Sequence, residues 1–507
     1  MKKFLGLLPI VGLLLISCEE DDPSLLDNGM QMEEPIVVTS GSANFANYVS
    51  LGNSLTAGFS DAALFIAGQE ASFPNMLAGQ FALAGGGTFS QPLMSDNLGG
   101  LTLGGNPISG NRLILSFASG SPTPVPVGGQ GATEVSNVLS GAFNNMGVPG
   151  AKSYHLLAPG YGNVAGVALG LANPYYARFA SSPTATVLGD AAAQNATFFS
   201  LWIGNNDVLG YATSGGSGVD QTGNLDPSTY GGSDISDPNV VAGSIQGILD
   251  AMTANGASGV IANLPDVTTI PFLTTVPYNP VPLDAATAGL LNAAYAEYNQ
   301  AMLAFSTNLN PLGTPLISPE EAQRRQISFA EGDTNPVVLL DEDLTDLTAV
   351  SPALINMRQS TADDLIVLTA SSFIGTLANP MDPTSINGVA VPLADNWVLT
   401  PEEQTAANTA LAAYNQVIEQ LATAYDIAFV DANSLLVELN QNGFPLADGS
   451  FVTADFGTGG GFSLDGVHPS PRGYAILANA FAEAINAKYG STLPGVNPLN
   501  FTGLYRE

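Results

Sequence analysis

The sequence predicts an α/β domain with a mainly parallel sheet, interrupted by long insertions. Two patterns point there: short apolar runs that stop at Gly, Asn or Asp, and helical stretches between them, which is the order of βα units. The third observation is size. The chain has 507 residues, 45% of them hydrophobic, with 56 Gly and 34 Pro, enough to bury one large core or two smaller ones.

The elements follow in chain order. Lys2 and Lys3 precede an apolar stretch over 4–16 that is short for a bilayer span. The stretch ends Leu15-Ile16-Ser17-Cys18, which resembles the lipobox of bacterial lipoproteins. That resemblance implies a signal peptide over 1–17 and a lipidated Cys18 at the mature N-terminus. Glu19-Glu20-Asp21-Asp22 follows, similar to the surface-export signal of some outer-membrane lipoproteins, or else a plain solvated spacer. Residues 18–43 read as an acidic flexible tether. The expected location is outside the cytoplasm, lipid-anchored to the cell envelope at the outer membrane.

The domain spans 44–490. Tyr48-Val49-Ser50-Leu51, stopped by Gly52, is its first strand. The Gly-rich stretch 85–140 reads as an insertion, and a strand is expected just before Asn145. The run 197–203 (TFFSLWI) is a strand ended by Gly204; a helix over 240–254 leads to a strand at 259–264 (GVIANL). Residues 270–400 exceed what the fold needs and form a second insertion. Within it, Val337-Val338-Leu339-Leu340 is strand-like, with 363–368 (DDLIVL) as a candidate partner. Ser318-Pro319-Glu320-Glu321 and Thr400-Pro401-Glu402-Glu403 each place a hydroxyl N-cap before Pro at the first helical position and Glu at the third. The second opens a long helix running into Tyr425. Tyr298-Asn299-Gln300 and Tyr414-Asn415-Gln416 echo one another in two Ala-rich helices. A strand at 427–430 (IAFV) and a helix over 472–488 complete the domain, leaving 491–507 as a tail. Long loops between strands and helices gather at the carboxyl edge of such a sheet, so the insertions are expected to form a cap.

Composition removes several functions. Eleven Lys+Arg against 44 Asp+Glu give a formal net charge of −33, which leaves no basic face for nucleic acid. One Cys and two His rule out intrachain disulfides, cysteine zinc clusters and multi-histidine metal sites. Asp341-Glu342-Asp343 with Asp346 lacks the Gly turn and bidentate Glu of an EF-hand and reads as a solvated acidic loop. No cofactor is expected.

What chemistry remains runs on hydroxyls, carboxylates, amides and imidazole. Gly52-Asn53-Ser54-Leu55 follows the first strand and exposes a serine on a tight turn. Asp465-Gly466-Val467-His468-Pro469 sets a carboxylate three residues before a histidine. Such a pair can take a proton from a serine hydroxyl, because the carboxylate fixes the imidazole tautomer. Between them, Gly147-Val148-Pro149-Gly150 and Gly204-Asn205-Asn206-Asp207 carry a backbone N–H unhindered by Cβ and a side-chain amide, the donors of an oxyanion hole. The other histidine, His155, reads as a packing or surface residue in a helix, with substrate contact as the alternative.

These four blocks, in this order, resemble those of the SGNH (GDSL-type) hydrolase superfamily, over about 46–60, 144–154, 197–210 and 462–475. The resemblance implies a three-layer α/β/α sandwich (flavodoxin-like) and hydrolysis of carboxylic esters through an acyl-enzyme. It makes Ser54 the nucleophile, His468 the base and Asp465 its orienting acid, with the Ser54 and Gly150 amides and Asn206 as oxyanion donors. Asn53 departs from the pattern, standing where the motif has Asp. The implied substrate is an ester of a lipid or an acylated glycan. The readings from other classes are a non-catalytic binding lipoprotein with this fold and an anchored structural component.

Overall fold

Five parallel strands form the central sheet of the computed structural model, which describes residues 37–118, 120–307 and 314–506. In chain order they are β1 (Tyr48–Gly52), β2 (Asn145–Gly147), β3 (Phe198–Trp202), β4 (Ser258–Ala262) and β5 (Ala428–Val430). Their spatial order is β5-β4-β3-β1-β2, with every neighbouring pair parallel. Every residue of β1 and β3 is buried, as the continuous apolar runs require of strands covered on both faces. The chain steps from β1 outward to β2, then back across β1 to β3. That reversal places a crevice at the carboxyl ends of β1 and β3.

Eight helices matter to the site: α1 (Ser54–Ala57), α2 (Phe73–Leu83), α3 (Asn206–Thr213), α4 (Pro238–Thr253), α5 (Ala285–Thr307), α6 (Pro401–Ala424), α7 (Ala432–Gln441) and α8 (Pro471–Tyr489). Side chains alternate along a strand, so Tyr48, Phe198 and Trp202 face the same way. They meet α2 and α8 through Phe73, Phe81 and Phe481; Phe73 stacks on Phe481 at 4.6 Å and Trp202 lies edge-on to Phe73 at 5.8 Å. Truncating a ring this deeply buried costs about 3–5 kcal/mol. Helix α6 packs on α4 and on β4 and β5, and begins with the expected capping box between Thr400 and Glu403.

The echoed Tyr-Asn-Gln triplets use the same fastening. Asn415 on α6 clamps the backbone N–H and C=O of Leu264, at 2.8 Å each; Asn299 on α5 clamps those of Ile327, at 2.9 and 2.7 Å. Each neighbouring tyrosine hydroxyl bonds a backbone carbonyl, Tyr414 that of Ser236 and Tyr298 that of Met357. One solution for anchoring a loop to a helix thus occurs twice.

Several expectations need correction. The strand near Asn145 begins at that residue rather than before it, and only three residues pair with β1. Val338–Leu340 pairs with Met357–Gln359, while Leu365–Ile366 pairs with Val398–Leu399. The acidic segment is not a solvated loop throughout. Asp341 is fully buried, and Arg358 joins it (Nε–Oδ2 2.5 Å) to Asp364, which the guanidinium grips at two oxygens, 2.7 Å each. Two buried carboxylates on one guanidinium hold this hairpin in register, and that overrides the apolar match between 337–340 and 363–368.

The signal segment, Cys18 and most of the tether lie outside the described residues. Val38–Glu507 is one unit, and the end of the expected tether belongs to it. Thr39 and Ser42 bond Thr492 and the carbonyl of Tyr489, and Ala43 is buried. Among the described residues, no helix is long and apolar enough to cross a membrane.

Candidate active site

Three of the four sequence blocks meet because of strand register. Gly147 of β2, Gly52 of β1 and Trp202 of β3 lie side by side across the sheet. Each chain then runs past the carboxyl edge, to Gly150, Ser54 and Asn206 respectively. Asn53 caps α1 by accepting from the N–H of Leu55 at 3.0 Å and donates to Asn205 Oδ1 at 2.9 Å. An amide can accept and donate at once, so the residue that departs from the motif ties the Ser54 turn to the Asn206 turn.

The fourth block brings the histidine. His468 Nε2 lies 2.9 Å from Ser54 Oγ, and His468 Nδ1 lies 2.9 Å from Asp465 Oδ2. Because an ionised carboxylate only accepts, Nδ1 carries the hydrogen and Nε2 keeps a lone pair toward the serine hydroxyl. The Phe59 ring lies 4.7 Å from the imidazole.

Asp465 is heavily solvated by the protein itself. Oδ1 accepts from the N–H groups of Val467 and His468, 2.8 Å each, and from Ser463 Oγ at 3.1 Å; Oδ2 also accepts from Ala62 N at 2.9 Å. Burial alone would raise this carboxyl, but the imidazole and these donors outweigh it and hold Asp465 at about 2. It therefore stays ionised wherever the imidazole works.

Sequence reasoning missed the support behind it. Asp61 and Ala62 are consecutive non-glycine residues with φ of 51° and 64°, a conformation worth an explanation. It lets Ala62 N reach Asp465 while Asp61 N donates to Ser463 Oγ, and Asp61 Oδ1 accepts from Leu464 N, both at 2.9 Å. Burial, aggravated by the charge of Asp465, raises the Asp61 carboxyl to about 7. Only the left-handed backbone signals this residue, and nothing local in the sequence encodes it.

The expected oxyanion donors Gly150 and Asn206 sit on an interlocked pair of loops. Gly150 has φ +80°, which a side chain would strain, and its N–H has no acceptor among the described residues. Asn206 Nδ2 gives one hydrogen to Ala151 O at 2.9 Å, leaving the second available. Asp207, fully buried, accepts from Ser153 N and Ser153 Oγ at 2.7 and 3.0 Å. The last two residues of the Gly-Asn-Asn-Asp block thus both grip the segment that follows Gly150.

His155 lies on a 3₁₀ turn, Ser153–Leu157, rather than an α-helix. Its ring stacks on Tyr161 at 4.6 Å and Nδ1 accepts from Lys152 N. Burial, then the Lys152 charge, lower it to about 4, so it is a neutral packing residue near pH 7.

An apolar pocket opens beside Ser54, Asn206 and His468, with about 840 Å³ of space, part of it open solvent. Its walls include Leu209, Val267, Leu436, Leu439, Phe462 and Leu477. They come mainly from α3, α7, α8 and the Asp465 loop. Among the described residues of the two insertions, Ile270 alone contributes to the lining, so the described pocket wall is built mainly elsewhere than the expected cap.

Comparison of the chain with protein-family models, with curated protein sequences and with solved structures gave no match.

Proposed function

We propose that this protein is a cofactor-free serine ester hydrolase of SGNH type, acting through an acyl-enzyme on an ester with an apolar chain. The observation that supports it most is the Asp465–His468–Ser54 relay, 2.9 Å at each step, opening on an apolar pocket. In this reading the helices form the outer layers of a three-layer α/β/α sandwich. His468 Nε2 takes the Ser54 proton as Oγ attacks the ester carbonyl. The developing oxyanion is held by the Ser54 and Gly150 N–H groups and the spare Asn206 hydrogen. His468 then passes its proton to the departing alcohol. Water attacks the acyl-enzyme by the same route, and Asp465 stabilises the imidazolium without taking its proton.

The pocket favours a lipid-like chain over an acetylated glycan, whose small acyl group would leave most of that surface uncovered. A non-catalytic binding role would not need the relay to be intact. Cys18 fits as a lipid anchor of an exported envelope protein, with the membrane as its partner and no nucleic acid.

A fluorophosphonate probe tests the catalytic reading directly. Ser54 should become covalently labelled, while Ser54→Ala should not react and should lose at least about 10⁴-fold of esterase turnover. An unlabelled wild type, or an active Ser54→Ala variant, rejects it. Replacement of Cys18 by Ser should release the protein from membranes; retention there rejects the anchor.

A further inference from the structure

Away from the relay, Glu342, Asp395 and Glu403 each present a carboxylate oxygen, and the three oxygens lie within 4.8 Å of one another. Such a triangle has a centre no more than about 2.8 Å from each corner, close to the 2.3–2.6 Å at which calcium binds oxygen. The three residues come from distant parts of the chain: Glu342 and Asp395 from the 270–400 insertion, Glu403 from the first turn of α6.

Glu403 is only 5% exposed. Its Oε2 accepts from Thr400 N and Thr400 Oγ1, at 2.6 and 2.9 Å, closing the capping box. Its Oε1 is buried and accepts no hydrogen bond among the described residues. A buried carboxylate beside two more carboxylates is costly unless protons or a cation neutralise the cluster. The guanidinium of Arg324 does not fill that role, being bonded to Asp341 and Glu402. Burial, then the neighbouring Glu342, raise both Asp395 and Glu403, the response of acids that lack a counter-charge.

The surrounding backbone is shaped to the same point. Gly215 and Gly216 follow the end of α3, and a Cβ on Gly216 would fall 1.9 Å from Glu403 Oε1. The segment closes over the unpaired oxygen only because residue 216 is glycine.

We propose that Glu342, Asp395 and Glu403 form a calcium site that fastens the 270–400 insertion to α6, beside the end of α3. The cation is hard and oxygen-loving, and backbone carbonyls or water complete its shell. This proposal is independent of the ester-hydrolase reading.

The test uses the full chain after chelation and measures unfolding with calcium alone. With millimolar or somewhat tighter affinity, about 10 mM calcium should lower the unfolding constant by about 10- to 100-fold. Calorimetric titration should show one site. Glu342→Gln, at an exposed position outside the capping box, should weaken the response, and Glu342→Gln with Asp395→Asn should abolish it. Without calcium the double variant should be at least as stable as wild type, because repulsion is removed; purely structural hydrogen bonding would predict the opposite. The proposal fails if calcium gives no isotherm, if sodium chloride at equal ionic strength stabilises equally, or if either variant responds like wild type.

Discussion

For the proposed hydrolase, the pocket beside Ser54 makes the preferred chain length a measurable quantity. Burying one methylene contributes about 0.8 kcal/mol, or roughly fourfold in kcat/KM when the chain is bound in the transition state. From acetyl to octanoyl, six added methylenes set a ceiling of about 5 kcal/mol, several thousand-fold. Part of the pocket is open to solvent, so a rise of at least about tenfold is the expectation. The assay is kcat/KM on a series of aryl esters with one leaving group and increasing acyl length. The perturbation is Leu439→Trp, at a half-buried lining position where a larger ring has room to sit partly in the pocket. It should leave acetyl ester turnover within about threefold and abolish most of the gain on octanoyl ester, with unchanged circular dichroism. A flat acyl series would refute the reasoning. A flat acyl series with a steep alcohol series would place the apolar chain on the leaving group instead.

Three further outcomes follow from the site and its support. Asn206→Ala should cost about 10²–10³ in kcat with little change in KM if its spare hydrogen serves the oxyanion; an equal rise in KM alone would contradict that role. Asp61 has a folded pKa of about 7, above the usual carboxylate value, so the folded state binds its proton more tightly. Stability should therefore decline as pH rises from about 4 through 7, and Asp61→Asn, which keeps the acceptor for Leu464, should flatten that decline in denaturant titrations; an identical pH profile would refute it. Arg358→Met should destabilise by about 3–5 kcal/mol in the same measurement, because it leaves Asp364 buried without a counter-charge and Asp341 with only the more distant Arg324, at 3.4 Å; a loss below about 1 kcal/mol would show that the pair is solvated.

The legible parts of the fold were those where local chemistry and tertiary demand coincide. The strands β1, β3, β4 and β5 are apolar runs with a turn residue behind them, and α6 and α8 begin with a hydroxyl followed by proline. β2 is only three residues long, so it had too little apolar pattern to announce itself. The strand pairing within the insertion is not legible, because two- and three-residue strands are selected by what surrounds them. Here the selector is Arg358, 17 residues from Asp341, and no short window joins them. The same distance made Asp341 look like part of a solvated run.

At the site, the four blocks are legible because the proposed catalysis needs particular atoms at turn positions, and turns carry Gly, Asn and Pro. The geometry that positions the acid was not. Asp61 and Ser463 are 402 residues apart and meet through a backbone N–H and a hydroxyl, neither of which distinguishes them from hundreds of ordinary polar contacts. The pocket wall was equally hidden. Its residues are mainly Leu, Val and Phe on α3, α7, α8 and the Asp465 loop, indistinguishable in sequence from core, and among the described residues of the long insertions Ile270 alone lines it. In the proposed reading, reaction type and chain preference are encoded in different ways: the first in a few residues with chemistry of their own, the second in ordinary apolar residues distinguished by where the fold leaves them uncovered. Substitutions such as Leu439→Trp should then alter which ester is cleaved while leaving the relay intact, whereas changes at Asp61 or Ser463 should alter the relay without touching chain preference.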